Sequence, residues 1–473
     1  MRKSWATSSI DIHLPVDRGV GRRVALEQAV RMAVTSGRLT AGTRLPSTRA
    51  LADHLDLSRG TVSAAYDQLV AEGYLVASRG AGTSVADLSW SSAQATPPPD
   101  TTWGPRYDLR PGRPDVTSFP VATWLRAARR ALTGASASVF SYGDPQGRIE
   151  LRRALADYLG RTRGVHASPA QIVLTSGYVQ AIALLCQVLV RSGSSVVAME
   201  DPNLPFHREV VRWAGARVMG LPVDEHGVDI DGLRGPDGGA VAAVVVTAAH
   251  QYPMGVTLHP DRRRELIRWA RGSSALIIED DYDGEFRFDR QPVGAIQELA
   301  PDCVAYLGSA SKTLGPALRL GWMVLPAELV GPVVAAKLHS DYHSEAVGQL
   351  ALAEMLTTYA YDRHVRSRRL RYRNRRDLLQ SRFGPQTQFG AMGFRLQGIS
   401  AGLHALLTLP AEGEAEREVC ARAEASGVAI GRLGEHWHSA GPHPQGLIVG
   451  FGTPSDLVYP AALNALAEVL AHR

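Results

Sequence analysis

The chain has 473 residues, 45% of them hydrophobic, and a formal net charge of +5; it is long enough for two or three domains and apolar enough for full globular cores. Its three cysteines, Cys186, Cys303 and Cys420, stand far apart, which excludes a disulfide framework or a cysteine-built zinc site, leaves no metal expected and fits a reducing cytoplasm. The longest apolar run, residues 181–190, is too short for a bilayer and residues 1–5 precede no long apolar stretch, so neither a membrane span nor a signal peptide is expected.

Positive charge is concentrated at the start. Residues 1–86 hold eleven Arg and Lys against seven Asp and Glu, and residues 30–52 hold no acid at all, a distribution suited to a polyanion. The run RRVALEQAVRMAVTS (22–36) has helical apolar spacing and ends at Gly37. Ser47 can cap a short helix reaching Leu55, and Ser58 a second one reaching about Glu72. Residues 74–85 read as a hairpin with a glycine-containing tip. Helix, helix, turn, helix, hairpin is the order of a winged helix-turn-helix. In such a head the start of the last helix meets the major groove. Ser58, Arg59 and Thr61 stand there, Ser47 and Arg49 begin the preceding helix, and Arg79 with Gly80 occupies the wing tip. Arg59 can pair with a guanine edge or a phosphate, and helix-terminal amides suit phosphate.

Residues 86–106 are rich in Ser, Thr and Pro and read as a linker. From residue 107 onward short buried apolar runs alternate with helical stretches. The runs beginning at Ile172, Ser195, Arg217, Val241, Ala275 and Val304 predict a mostly parallel α/β sheet, with a smaller α+β subdomain over the last hundred or so residues. Three motifs mark this region. LTSGYVQA (174–181) is a strand end, a glycine turn and a helix start, an anion pocket by its free amides. IIEDDYD (277–283) ends a buried strand in carboxylates, and YLGSASKT (306–313) sets Lys312 among serines ahead of Arg319 and Gly321. A strand-end carboxylate can keep a pyridine nitrogen protonated, and a lysine there can form a Schiff base.

The run GTRLPSTRALA…LSRGTVSAAYDQLVAEGYL closely resembles the GntR-type head, and YGDPQG, HQYPMG, IIEDDYD and SKTLGPALRLG resemble fold-type I aminotransferases. Both halves in this order look like the MocR group of regulators. The resemblance implies a winged helix-turn-helix DNA-binding domain (1–85), a linker (86–106) and an aminotransferase-like pyridoxal 5′-phosphate (PLP) domain (107–473). It implies Lys312 as the internal-aldimine lysine, Asp280 as partner of the pyridine nitrogen and Tyr282 as donor to the ring hydroxyl, with Tyr252 where aminotransferases usually carry an asparagine. Gly177, Tyr178, Val179, Ser309, Ser311 and Arg319 would form the phosphate cup. The head positions matching Arg49, Arg59, Thr61, Arg79 and Gly80 contact DNA in that family.

The chain also departs from the pattern. Leu204 stands where many relatives stack an aromatic on the ring, Met254 replaces a threonine, and Ser63 replaces an arginine that some relatives use on DNA. Glu435 falls where relatives often show an arginine for an effector carboxylate, leaving Arg432 as the stand-in. The eight arginines of RHVRSRRLRYRNRR (363–376) could form a phosphate-binding stripe or a solvated helix face. The expected function is a cytoplasmic, PLP-dependent transcription regulator. It would sense PLP or an amine or amino-acid effector through an aldimine at Lys312 and control B6 or amine metabolism. It would act as a domain-swapped homodimer on duplex DNA with repeated half-sites. An active aminotransferase with an appended head would carry the same cofactor chemistry, so that alternative stays open.

Overall fold

The computed structural model describes residues 21–78, 82–87, 104–235, 238–288 and 293–471, and the chain divides into two compact units on either side of Thr102. In the first unit, helices α1 (Arg22–Thr35), α2 (Thr48–Leu55) and α3 (Arg59–Ala71) are followed by the antiparallel pair β1 (Leu75–Ser78) and β2 (Gly82–Val85). Both predicted caps are made: the Ser47 hydroxyl accepts from the Ala50 amide at 3.2 Å and the Ser58 hydroxyl from the Thr61 amide at 3.0 Å. Asp56 takes the left-handed conformation that turns α2 into α3. Leu26, Val30, Leu51, Val62, Leu69, Leu75 and Val85 bury one shared core.

The second unit begins with β3 (Tyr107–Asp108), α4 (Val121–Thr133) and α5 (Ile149–Arg163), then winds β4 (Ile172–Thr175), α6 (Tyr178–Arg191), β5 (Val196–Asp201), α7 (Pro205–Trp213), β6 (Arg217–Asp224), β7 (Gly227–Val228), β8 (Val241–Val246), α8 (Pro260–Ser273), β9 (Leu276–Asp280), β10 (Val304–Ser309) and β11 (Gly321–Val324). The sheet order is β4-β11-β10-β9-β8-β5-β6-β7. Strands β10, β9, β8, β5 and β6 run parallel, while β11 is antiparallel to both β4 and β10. The strands read as unbroken apolar runs because both faces are covered. Val197, Val245 and Leu307 pack toward α6 and α7, and Val244, Ile277 and Val304 pack toward α8. The expected strands are present; β11, which is not among the runs read as strands in the sequence, lies between β4 and β10.

Two helices, α9 (Ala327–Asp341) and α10 (Ala346–Thr357), lead to the long α11 (Ala360–Phe383). After α12 (Gln388–Ala391), strands β12 (Arg395–Gln397) and β13 (His404–Thr408), α13 (Glu416–Ala425), β14 (Val428–Ala429), β15 (Gly431–Arg432), β16 (Gly446–Gly450) and α14 (Tyr459–Ala471) build the subdomain. Its four-stranded antiparallel sheet has the order β12-β13-β16-β15, and β14 pairs instead with β3.

The arginine run on α11 is mostly not a surface stripe. Arg368 and Arg375 are buried, and Arg371 and Arg375 bind Asp115 and Asp456. Arg369 donates to the Glu285 carbonyl and Arg376 to that of Gly398. Buried Arg375 persists because it finds carboxylates and carbonyls, whereas buried Arg368 has, among the described residues, only the Asp115 carboxylate, at 3.7 Å. Arg363, Arg366, Arg369 and Arg373 are exposed, and of these, among the described residues, Arg369 alone is tied down, by the Glu285 carbonyl. No helix among the described residues is long and apolar enough to cross a membrane.

Candidate cofactor cavity and DNA-reading face

Strand ends position the cavity. Thr175, Asp201, Asp280 and Ser309 close β4, β5, β9 and β10 at one edge of the sheet, where α/β folds bind ligands. A cavity of about 320 Å³ opens there, lined among others by Tyr178, Val179, Tyr252, Asp280, Tyr282, Ser309, Ser311, Lys312 and Arg319. Nearly all the expected cofactor residues therefore converge, although they span 142 positions of sequence from residue 178 to residue 319. Gly177 belongs to the same end. Its φ is +90°, and a Cβ there would lie 3.1 Å from the Arg319 guanidinium. A Cβ on Gly321 would lie 2.7 Å from the Gly177 Cα, so only glycines allow β11 and the head of α6 to approach this closely. Arg319 is held over the turn by the Ser176 carbonyl.

The acidic run sorts its members by strand periodicity. Glu279 accepts the Ile296 and Gln297 amides. Asp281 is clamped by Arg163 at 2.6 and 2.9 Å and accepts from the Tyr306 hydroxyl at 2.6 Å. Asp283 pairs with His250 Nδ1 at 2.8 Å. Asp280 and Tyr282 are left to line the cavity. Burial first, then the nearby Asp281, drives the Asp280 carboxyl well above the usual range. Burial also pushes Glu200 and Glu279 up to about 7. Burial lowers the Lys312 amine, against the opposing pull of Asp283 and Asp280, which favours the neutral nucleophile. Lys312 Nζ donates to the Gly112 carbonyl at 2.6 Å.

Several expectations are modified. Tyr178 heads α6, and its ring packs on His207 with centroids 4.5 Å apart. The Tyr282 hydroxyl lies 3.2 Å from His250 Nδ1 and the Tyr252 hydroxyl 3.1 Å from His436 Nε2. Arg432 does not line the cavity. It borders a separate one, and Glu435, three residues on, holds its guanidinium. The effector-carboxylate role expected of it therefore fails. Sequence reasoning missed Pro111, Gly112, Asn203, Thr247 and His207, all of which line the cavity; the only signal for Asn203 and Thr247 was their place just beyond a strand end.

The residues fit PLP. Two buried polar atoms on cavity-lining residues, the Tyr178 hydroxyl and Asn203 Oδ1, have no hydrogen-bond partner, as expected of groups awaiting a ligand. The cavity also offers an amine, a carboxylate and a guanidinium at a glycine-lined helix start.

His207 carries a pH signature. Burial, with Lys312 nearby, pushes its imidazole down to about 3, whereas an unfolded histidine titrates near 6.5. Its stabilising contribution is complete above that value and is lost as pH falls toward 3. His207→Phe is expected to remove about 1.4 kcal/mol per pH unit from the acid-side slope of stability. Unfolding midpoints of both proteins at about pH 5 and about pH 7 check this, and identical slopes would dismiss it.

In the first unit Arg49 and Arg59 are exposed at the starts of α2 and α3, with no side-chain partner among the described residues. Ser47 and Ser58 are exposed caps, and Thr61 is half-buried with its hydroxyl 2.8 Å from that of Ser58. Arg79 and Gly80 lie outside the described residues.

Comparison with known proteins agrees with both units. Residues 23–85 match the gntR family of bacterial regulatory proteins, and residues 109–428 match aminotransferase class I and II. The chain is 31% identical to the HTH-type pyridoxine biosynthesis transcriptional regulator PdxR of Corynebacterium glutamicum, over 91% of this chain and 92% of that one. It is 32% identical to the probable rhizopine catabolism regulatory protein MocR of Rhizobium meliloti, over 76% of each. Among solved structures, an archaeal alanine:glyoxylate aminotransferase superposes with a TM-score of 0.70 at 25% identity, covering 78% of this chain and 91% of that one. Kynurenine aminotransferase of Pyrococcus horikoshii, in complex with PMP, gives 0.69 at 24%, covering 78% and 91%, a likeness of fold.

Proposed function

Because this chain belongs to the GntR regulators of the MocR and PdxR type, we propose that it is a cytoplasmic DNA-binding regulator that holds PLP at Lys312 and responds to PLP itself. The observation that carries this is the charge inventory of the cavity. Lys312, Asp280 and Arg319 supply one amine, one carboxylate and one guanidinium, and among the described residues the lining includes no second guanidinium. A phosphorylated pyridine aldehyde needs one of each. A free amino acid beside it would need a further cationic clamp, and Arg432 is committed to Glu435.

When bound, PLP supplies an electrophilic carbonyl and an electron-withdrawing ring. Lys312 offers a partly desolvated amine to that carbonyl. Asp280 would receive the ring nitrogen, and Tyr252 and Tyr282 would serve the ring hydroxyl. The amides at Gly177, with Ser309, Ser311 and Arg319, would hold the phosphate. Among the described residues the lining offers no carboxylate clamp, which favours the regulator over the reading as an aminotransferase with an appended head.

The C. glutamicum relative is named for pyridoxine biosynthesis, and genes of B6 metabolism are the proposed targets here. Val121, Leu125, Phe140 and Tyr142 are exposed apolar side chains on or beside α4. They favour a homodimer, which would read two half-sites. The test titrates PLP into purified protein bound to duplex DNA taken upstream of its own reading frame. A coupling of about 5–150-fold in affinity is expected, abolished in Lys312→Ala. Tight DNA binding indifferent to PLP would reject PLP as the signal.

A further inference from the structure

We propose that residues 107–112 form a strap that carries the state of Lys312 to the point where the chain enters the second unit. The proposal rests on the PLP reading above and names how that site would be coupled to the rest of the protein.

The inner end of the strap is part of the cavity. Pro111 and Gly112 line it, and the Gly112 carbonyl takes the only hydrogen bond that the Lys312 amine makes among the described residues, at 2.6 Å. Gly112 has φ +72°, and a Cβ there would lie 3.8 Å from that amine. The outer end is woven into the subdomain. Tyr107 and Asp108 pair in parallel with Val428 and Ala429. The Tyr107 amide donates to Gly427, the Leu109 amide to Ala429, and the Leu109 carbonyl accepts from Gly450. The Arg106 guanidinium lies 5.1 Å over the Tyr107 ring, so the anchored stretch begins within a few residues of the linker.

Between its ends the strap lies in a track of glycines. A Cβ on Gly450 would stand 2.4 Å from the Arg110 carbonyl oxygen, one on Gly452 1.9 Å from that of Arg113, and one on Gly431 3.0 Å from the Pro111 ring. Leu109 is anchored in the subdomain core with Tyr107 packed beside it, whereas from Arg110 to Pro111 the backbone rests on Gly450 and Gly431. That inner half can shift at less cost than a packed core, where displaced side chains must leave their rotamers.

The chemistry at Lys312 supplies the trigger. Condensation of its neutral amine with an aldehyde forms a C=N bond, and the carbonyl oxygen leaves as water with the two amine hydrogens. The planar nitrogen has lost both amine hydrogens that could bind Gly112, and a proton it later takes up lies in the plane of the C=N bond instead of turning freely as the amine hydrogens did. The half-buried Gly112 carbonyl loses its partner and must find another, because an unpaired buried carbonyl is unfavourable. The inner half of the strap re-seats and pulls on the Leu109 anchor and its hydrogen bonds to Ala429 and Gly450, loosening the pairing of Tyr107 and Asp108 at the outer end.

Hydrogen–deuterium exchange of the full-length protein, read by mass spectrometry on the peptide covering residues 104–112, tests this. PLP is expected to raise exchange there several-fold in the wild type. Lys312→Met lacks the donor and should show the raised exchange without PLP. Lys312→Arg keeps a donor but cannot condense, so it should stay protected with or without PLP. Unchanged exchange in β8 reports that each variant is folded. The strap is overturned if Lys312→Met matches the untreated wild type, or if PLP leaves the peptide protected while borohydride reduction shows the mass adduct. A missing adduct would reject the PLP reading separately, and the Lys312→Met comparison would still decide the strap.

Discussion

Arg163→Met is expected to destabilise the second unit by about 3–5 kcal/mol, the usual consequence of removing one partner from a buried ion pair. The Arg163 and Asp281 side chains are 4% and 3% exposed. The guanidinium forks onto both oxygens of Asp281 and also reaches the Gly284 and Val293 carbonyls, at 3.4 and 3.1 Å. Methionine fills most of the volume but leaves Asp281 with the Tyr306 hydroxyl alone. An uncompensated carboxylate would then sit one residue from Asp280, whose proton affinity Asp281 already raises. Denaturant midpoints give the loss at an unchanged slope. The double variant Arg163→Met with Asp281→Leu should regain most of it, because an apolar pair of similar volume often matches a buried ion pair. A single-variant cost below about 1 kcal/mol would mean that this pair behaves like a solvent-exposed one.

Arg59→Ala is expected to cost about 1–3 kcal/mol of specific DNA affinity if the guanidinium reads a base edge, and to relax specificity at one base pair. Its place at the first turn of α3, exposed and unpaired, leaves the fork free for either a guanine or a phosphate. Fluorescence anisotropy on a cognate and a scrambled duplex, over a range of salt, separates the two. A phosphate contact lowers both affinities alike and reduces the salt slope by about one ion. Unchanged affinity for both duplexes would remove Arg59 from the interface. Ser58→Ala is a poor substitute for this test, since the hydroxyl caps α3 and its loss weakens the helix itself.

What could be read from the sequence follows from locality. The helices of the first unit announce themselves because each cap and its helix are consecutive residues: Ser47 with Ala50, Ser58 with Thr61. The buried parallel strands announce themselves because two covered faces demand unbroken apolar runs. β11 did not, since GWMV runs antiparallel between β4 and β10 and its place is set by those two neighbours. The arginines of α11 misled for a related reason. Spacing shows that Arg368 and Arg375 share a face, but not that Asp115, more than 250 residues earlier, waits there. Lys312, Asp280 and Arg319 were legible as chemistry-bearing motifs. Gly112 and His207 were not, because a backbone carbonyl and a lone histidine carry no pattern until the fold brings them to Lys312.

The insertion of β11 between β4 and β10 also bears on synthesis. Ser176 and Arg319, which meet at the anion end of the cavity, lie 143 positions apart, and neither can be seated before the strand at Gly321 pairs with both neighbours. Contacts of such long range form late, after the loop between them has been closed. A nascent chain still on the ribosome, with everything up to Lys312 already emerged, therefore has the amine but not the Arg319 guanidinium of the proposed phosphate site. On the proposed function, full PLP capture would wait until translation has passed the strand, and a truncated product ending short of it would keep the head while lacking part of the proposed sensor.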